Sequence, residues 1–446
     1  MLKKQFAKWK KIPPQSPALL FLAAMILSFG IVLFNHSWSK FYTGSWDGYS
    51  ELLAVGRITQ MQQGQSAPGG FLGVYTAEWG DGEGYALLKD NTPQTAGNYK
   101  SYAHQSGLQG TLEGTLAKAL CLLPISGEAR LNTLYFVNCW LFYTLAVWLC
   151  LQLAGHFGIG AGLGALAAVW FCPWLTMGAK NLYWVLWTWL LPCCAGVLLA
   201  KNEISKEKSR ALALAGVWAA VFVRCLCGFE YVTTTLILCE LPLAVCWLED
   251  TKNRKAWFWA MLQAGCAALA GALAALLVWL GQCTAYYGSA ARAWQEVAGI
   301  ALARAGAGAV EGDAASAATQ SVPLFEALKA FITDPGAQVK IAAVSVSILP
   351  VLLLGAVLAL GLAAMAAKQK NRARLRGLCG MWALGLAAPL SWMVLAKGHA
   401  FVHMHLTPML WSFALLPCTA ALLGWLGENA VKKIISIRSN VHHDLR

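Results

Sequence analysis

Repeated apolar runs of membrane-spanning length constrain this chain more than any other feature. A helix needs roughly 20 apolar residues to cross the hydrocarbon core of a bilayer. Runs of that kind recur along the 446 residues, of which 58 % are hydrophobic and only 12 % are charged. Soluble proteins carry about a quarter charged residues. The sequence therefore predicts an all-α fold, a polytopic helical membrane protein with about ten transmembrane helices.

The predicted spans form a single membrane domain over residues 1–446. A first outer loop covers 38–130, helices two to seven cover 131–283, a second outer loop covers 284–340, and the C-terminal helices and tail cover 341–446. The spans are 17–34, 131–153, 159–176, 182–200, 211–223, 232–248, 256–283, 341–366, 378–396 and 401–426.

The net charge of +13 is explained by topology. Lys and Arg concentrate in the N-terminal tail, in 201–210, 249–255 and 368–376, and in the tail 428–446. Cytoplasmic pieces of membrane proteins carry this excess. We therefore predict a multi-pass protein of a bacterial inner (plasma) membrane with both termini in the cytoplasm and with no nucleic-acid partner.

Two patterns that resemble cofactor sites are better explained by packing. Most of the 14 cysteines lie inside apolar runs and no CxxC pair occurs, so they behave as small hydrophobic residues. The glycines of 158–164 resemble a dinucleotide loop, but they begin a membrane helix and no strand precedes them. Close packing between helices is the better interpretation.

Alternation of the spans places the unusual polar clusters on the outer side. These are the acidic first outer loop and the segments 180–184, 224–231, 284–340 and 397–405. Transporters instead tend to carry charges near the membrane midplane. Glu240 is the clear mid-span acid, and it is either functional or a protonated group bonded to a neighbouring helix.

Asp47 is the candidate catalytic residue. It lies shortly after the first helix between Trp46 and Tyr49, which would shield it partly from water. A carboxylate there could act as a general base toward an acceptor hydroxyl. The alternative is a simple Asp-Gly turn.

Two other groups of the first outer loop are candidate substrate ligands. Glu78, Asp81 and Glu83 lie within six residues among glycines and could hold Mg²⁺ or Mn²⁺, or could form a solvated acidic turn. His104 and Gln105 belong to a stretch rich in hydrogen-bonding and aromatic side chains, of the type that binds polyhydroxyl ligands, although a plain loop has the same composition.

A set of cations or potential cations falls at outer helix ends, where a lipid-borne phosphate could bind. For a single lysine or arginine of the set, the alternative is that its long side chain extends to the membrane interface. For the histidines, the alternative is a metal site. The set is Lys180, Arg224, Lys397, His399, His403 and His405.

The layout resembles the GT-C superfamily of integral-membrane glycosyltransferases. The shared features are a long acidic first outer loop (38–130), a second large outer loop after the seventh helix (284–340) and a final group of helices from 341 onward. The resemblance implies transfer of a sugar from a polyprenyl-phosphate or polyprenyl-diphosphate donor on the extracytoplasmic side. It also implies that an acidic residue of the first outer loop, Asp47 or one of Glu78, Asp81 and Glu83, serves as base or metal ligand.

The sequence thus predicts an outward-facing glycosyltransferase in a lipid bilayer, using a polyprenyl-phosphate-linked sugar and a glycan, lipid or protein acceptor. Asp47 would orient or deprotonate the acceptor, and the cationic set would hold the leaving phosphate. Glu230 is a further candidate substrate ligand, and the aromatic surfaces for the sugar would be Trp46, Trp79, Tyr183 and Trp184.

Two alternatives remain open. A polysaccharide polymerase or O-antigen ligase would depend on arginines of the second outer loop, which holds Arg292 and Arg304. A lipid-linked sugar transporter would need charges lining a path through the membrane.

Overall fold

The computed structural model describes residues 17–37, 47–75, 83–205, 209–307, 322–334, 336–368 and 372–444. Across these ranges the chain is almost entirely helical. The α-helices are α1 Pro17–Ser37, α2 Gly48–Gln62, α3 Glu83–Asp90, α4 Leu108–Leu120, α5 Gly127–Phe157, α6 Ile159–Trp170, α7 Pro173–Lys180, α8 Trp187–Ser205, α9 Arg210–Leu226, α10 Val232–Glu249, α11 Arg254–Tyr287, α12 Ala290–Ala305, α13 Leu324–Thr333, α14 Ile348–Lys368, α15 Arg372–Leu395, α16 Lys397–Val402, α17 Thr407–Leu410 and α18 Leu416–Asp444.

Short non-α elements connect these helices. Two antiparallel pairs are formed by β1 Leu72–Val74 with β2 Lys100–Tyr102, and by β3 Gln338–Ile341 with β4 Val344–Ser347. The 3₁₀ turns are Pro68–Gly70, Ala96–Asn98 and Met404–Leu406, and one π-helical stretch, Trp411–Leu415, joins α17 to α18.

Seven helices in the described ranges are long and apolar enough to cross a membrane, as a polytopic helical membrane protein requires. They are Ala18–Asn35, Gly127–Phe157, Val232–Glu249, Arg254–Tyr287, Ile348–Met365, Arg372–Leu395 and Met404–Ile437. The bent pair α6 and α7 would make an eighth. Helices occupy all the predicted positions, but α8 and α9 are not among these candidates, so the count of about ten stays a prediction.

Local sequence explains where the helices depart from the predicted spans. The span predicted over 159–176 is broken, because Pro173 cannot continue the hydrogen bonding of α6, and α7 leaves at an angle of 63°. The span predicted from 341 begins only at Ile348, because the β3–β4 pair precedes it. The span predicted from 182 begins at Trp187 and leaves a turn at 181–186 that shapes the site.

The glycines of 158–164 pack α6 against α18, as the sequence predicts. A Cβ added to Gly160 would lie 2.2 Å from the Gly424 carbonyl oxygen, and one added to Gly424 would lie 1.9 Å from the Gly160 carbonyl oxygen. Glu428 fixes the start of α6, because its Oε2 accepts a bond from the Gly160 amide at 2.7 Å. The two helix backbones therefore touch, which only glycine permits.

The loop segments separate into two groups at opposite ends of the helices. His156 bonds with Glu249 at 3.0 Å, and Arg376 Nε donates to the Leu248 carbonyl at 3.0 Å, so segments predicted to be cytoplasmic meet. Glu230 lies before the other end of α10, whose 18 residues span about 27 Å. This separation agrees with the alternation of the predicted spans.

Candidate functional site

A cavity of about 400 Å³ lies where the predicted outer segments meet. Its walls come from the start of α2, from β2 and the residues after it, from the turn after α7, from the segment before α10, from the end of α12, and from α16 with the segment that follows it. Eight predicted site residues line this cavity: Asp47, His104, Tyr183, Trp184, Glu230, His399, His403 and His405.

Asp47 is held at the entrance to α2 with its carboxylate in the cavity. The residue adopts a left-handed conformation (φ 53°, ψ 53°), which Asp tolerates better than most residues, and it precedes the first residue of α2. Its side chain does not cap α2. Instead, the Trp184 indole Nε1 donates to Asp47 Oδ2 at 2.7 Å. Asp47 is therefore both the Asp-Gly turn and a cavity carboxylate.

The turn at 181–186 presents Tyr183 and Trp184 to the cavity. Asn181 Oδ1 accepts from the Tyr183 amide at 2.9 Å and from the Trp184 amide at 3.1 Å, which closes the turn. Val185 has φ 38°, a conformation that is strained for a β-branched residue and that costs about 1–3 kcal/mol. Strain of this kind persists where the surroundings fix the backbone, and such places are often functional.

Glu51 ties α2 to the same turn from behind the cavity. Its carboxylate is buried and accepts from the Leu182 amide at 2.9 Å and from the Tyr85 hydroxyl at 2.7 Å. Burial raises the pKa of Glu51, against the opposing effect of these bonds. Because Asp47 immediately precedes α2 and its carbonyl accepts from the Glu51 amide at 3.2 Å, this clamp sets the position of Asp47 relative to Trp184.

An ion pair between Glu230 and Arg304 forms another part of the cavity wall. Arg304 Nη2 donates to Glu230 Oε1 and, at 3.4 Å, to the His104 carbonyl. Arg224 holds the backbone beneath this pair, because its Nη2 donates to the Glu230 carbonyl and its guanidinium lies 4.9 Å from the centre of the Trp189 ring. Arg224 is thus a buried support and not part of the lining.

Gln105 lies beside the Glu230 carboxylate, under the lining. A Cβ added to Gly228, which has φ 143°, would meet Gln105 Oε1 at 2.6 Å and Glu230 Oε2 at 2.3 Å. Only glycine fits between these two side chains. The neighbouring Tyr102 of β2 reaches the cavity and bonds with Tyr183, and burial raises its pKa to about 12, so its hydroxyl stays protonated.

Three histidines, His399, His403 and His405, form a contiguous cluster on the remaining wall. The ring centres of His399 and His403 are 4.6 Å apart, and those of His403 and His405 are 5.6 Å apart. Burial lowers the pKa of both His399 and His403, and the neighbouring histidines lower it further. Both residues lie between the candidate spans that end at Leu395 and begin at Met404. In the described part of the chain, no group of three His, Cys, Asp or Glu residues is arranged to hold a metal ion.

The other predicted cations point away from the cavity. Lys180 Nζ lies 4.6 Å from the centre of the Tyr135 ring, and Lys397 Nζ donates to the Val322 carbonyl at 2.7 Å. Apart from the histidines, the lining holds two carboxylates and the guanidinium of Arg304, a formal charge of −1. The cavity is less cationic than the sequence predicts.

The comparison with known proteins gives no relative. The chain matches no protein-family model, and no curated protein or solved structure is significantly similar to it. The predicted membership of the GT-C superfamily therefore stays a prediction.

The acidic group of the first outer loop is described only in part. Glu83 begins α3 and is exposed to solvent, whereas Glu78 and Asp81, like Trp46 and Trp79, lie outside the described residues. The predicted Mg²⁺ or Mn²⁺ site at these three carboxylates stays a prediction.

Sequence reasoning did not place Tyr102 or Glu51 in the site, and it considered Arg304 only for the polymerase or ligase alternative. Arg304 follows the apolar positions Ala293, Val297, Ile300 and Ala303, whose helical spacing packs α12 on the core and brings its last turn to the cavity. That amphipathic pattern was the available signal. For Glu51, the signal was a lone carboxylate among the apolar residues of α2.

Proposed function

We propose that the protein is a membrane glycosyltransferase that moves a sugar from a polyprenyl-phosphate donor to an acceptor at this cavity. The carrying observation is the Asp47 carboxylate, fixed by the Trp184 indole in a cavity of about 400 Å³ with tyrosines, histidines and one arginine around it. Convergent polar side chains of this kind fix the orientation of a ligand in a small-molecule site.

Asp47 acts in this proposal as the general base. Its Oδ2 is occupied by the indole N–H, so Oδ1 is the oxygen that can accept the proton of an acceptor hydroxyl. The acceptor oxygen then bonds to the anomeric carbon of the sugar, and the bond between that carbon and the phosphate oxygen breaks. Arg304 and the neutral histidine N–H groups stabilise the charge that develops on the phosphate.

The test is sugar release from polyprenyl-phosphate hexoses by the purified protein in lipid nanodiscs. A general base contributes about 10²–10⁴-fold, so Asp47→Asn should lower the rate by that factor while it keeps an oxygen for the Trp184 bond. Asp90→Asn is the matched control, because Asp90 is an exposed carboxylate of the same outer segment. Full activity of Asp47→Asn would remove Asp47 from the mechanism.

The position of Arg304 favours a second candidate, a polysaccharide polymerase or ligase. Such enzymes depend on arginines of the second outer loop, and Arg304 lines the cavity whereas Arg292 is exposed beside Glu296. Products of repeated transfer, resolved by length, would distinguish a polymerase from a single-sugar transferase. Translocation of the lipid-linked sugar without transfer would instead support a transporter.

A further inference from the structure

We propose that the histidine cluster is a phosphate subsite that takes up a proton when a phosphate monoester binds. The proposal deepens the proposed function, because the ligand is the polyprenyl phosphate that remains after the sugar has left. It also selects a monophosphate over a diphosphate donor.

The histidine cluster is closely packed and contains a buried ring nitrogen without a hydrogen-bond partner. His399 is packed against Tyr231 and Trp392, with ring centres 5.7 and 5.5 Å away, and His403 lies between His399 and His405. The Nδ1 atom of His399 is buried and has no hydrogen-bond partner. A buried polar atom costs about 1–3 kcal/mol when it is left unsatisfied, so a ligand that bonds to this wall recovers that cost.

Charged side chains surround the histidine cluster. Asp47, Glu230 and Arg304 line the same cavity, and the two carboxylates favour a charged His403 whereas Arg304 opposes it. Lys397 of the same helix is turned to the Val322 carbonyl. The other titratable side chains of the lining are Tyr49, Tyr102, His104 and Tyr183.

A phosphate monoester changes this balance. Its second pKa is about 6, so at neutral pH it brings nearly two negative charges into a lining whose formal charge is −1. Burial lowers the pKa of His399 and His403, so both are neutral in the empty site. A dianion beside them raises the histidine pKa again, and a proton enters with the ligand. A diphosphate brings further negative charge into the same lining, so one added proton offsets a smaller share of it.

The proton taken up by the cluster also has a role in the transfer reaction. When the bond between the anomeric carbon and the phosphate oxygen breaks, the electron pair stays on that oxygen and creates the dianion. The acceptor proton goes to Asp47. The cluster then takes a proton from water, which neutralises part of the new charge on the phosphate, and no change of oxidation state is involved.

Calorimetric titration of the full chain in nanodiscs tests the subsite. Polyprenyl phosphate is titrated at pH ~7.5 in buffers of different ionisation enthalpy. The dependence of the measured heat on the buffer gives the number of protons taken up per ligand. We expect uptake approaching one proton, and a Kd that rises by up to about tenfold per pH unit above pH ~7.5. Equal heats in all buffers, or a Kd that does not change with pH, would overturn the proposal.

Histidine variants identify the groups that take the proton. His399→Gln and His403→Gln should each weaken binding by about tenfold or more and reduce the proton uptake. His156→Gln is the matched control, because His156 pairs with Glu249 at the other end of the helices. If His399→Gln fails to fold, His403→Gln and His405→Gln decide the test. Wild-type Kd and uptake in these two variants would refute the assignment.

Further ligands define the chemistry of the subsite. Polyprenyl diphosphate should bind more weakly than the monophosphate, and tighter binding would overturn the choice of a monophosphate. Inorganic phosphate, titrated separately, should show the same uptake if the headgroup alone is recognised, and a lack of binding assigns the site to the lipid form. If the wild-type protein binds polyprenyl phosphate with proton uptake but transfers no sugar, the glycosyltransferase proposal fails and the subsite stands.

Discussion

Replacement of Arg304 by glutamine should leave the Glu230 carboxylate unpaired in the cavity wall. The Glu230 side chain is 4 % exposed and that of Arg304 is 15 % exposed, so water cannot replace the lost partner. Removing one partner of a buried ion pair costs about 3–5 kcal/mol. We expect Arg304→Gln to lower the free energy of unfolding by an amount in that range.

A double-mutant cycle separates the pair from other effects of the substitution. Glu230→Gln should cost less, about 1–3 kcal/mol, because Arg304 keeps its bond to the His104 carbonyl and is the more exposed partner. The variant with both substitutions carries no unpaired charge. It should be more stable than the sum of the two losses predicts, by a coupling energy of about 1–3 kcal/mol.

The measurement is unfolding in mixed micelles with increasing SDS, followed by reaction of a thiol dye with the buried cysteines. All 14 cysteines are free, and most are buried, so dye reaction reports loss of tertiary packing. Wild-type stability of Arg304→Gln would show that the pair does not close this wall. A double variant as unstable as the sum of the single variants would refute a direct interaction.

Three further predictions concern single positions. Trp184→Phe removes the indole bond to the proposed base and should lower sugar release about 10–100-fold, as measured in the nanodisc assay, whereas the exposed Trp294→Phe should not. Gly424→Ala should destabilise by at least about 2 kcal/mol in the SDS assay, because its Cβ meets a carbonyl of α6, whereas Gly427→Ala, with nothing within 4 Å, should be neutral or stabilising. Burial raises the pKa of Glu113 from 4.5 to about 7, so this group contributes stability at acidic pH that is lost, by up to about 3 kcal/mol, as the pH rises from about 4.5 to about 7. Glu113→Gln should abolish that loss of stability, as measured by thermal unfolding between pH ~4.5 and ~7.

Apolar periodicity and charge placement predicted the helical framework. Helices occupy the positions of the predicted spans, although the span 159–176 is broken and the span from 341 begins later, and the predicted outer segments that carry Asp47, Tyr183, Glu230 and His403 meet at one cavity. These features depend on the hydrophobic thickness of a bilayer and on alternation of helix direction, which are written in the order of apolar and charged residues.

The partners of individual side chains could not be predicted in the same way. Glu230 and Arg304 lie 74 residues apart, and their pairing depends on how α12 packs against the other helices. Lys180 and Lys397 have long flexible side chains, which bond to a ring and to a carbonyl outside the cavity. The sequence predicted cations at the outer helix ends, but the directions of these side chains depend on tertiary packing.

The placement of the charges explains how one small cavity could serve both halves of a transfer reaction. Asp47, the proposed base, bonds to a neutral indole donor, and Arg304, in the proposed phosphate site, bonds to Glu230. The base and the phosphate site therefore do not neutralise each other. A lysine beside Asp47 would pair with the carboxylate and occupy the oxygen that must accept a proton. Neutral histidines avoid this competition and can still gain charge when a phosphate arrives. On this argument, a Tyr183→Lys variant should lose sugar release even though it adds a cation to the cavity. Improved transfer in that variant would show that positive charge, and not the separation of base and phosphate site, limits the reaction.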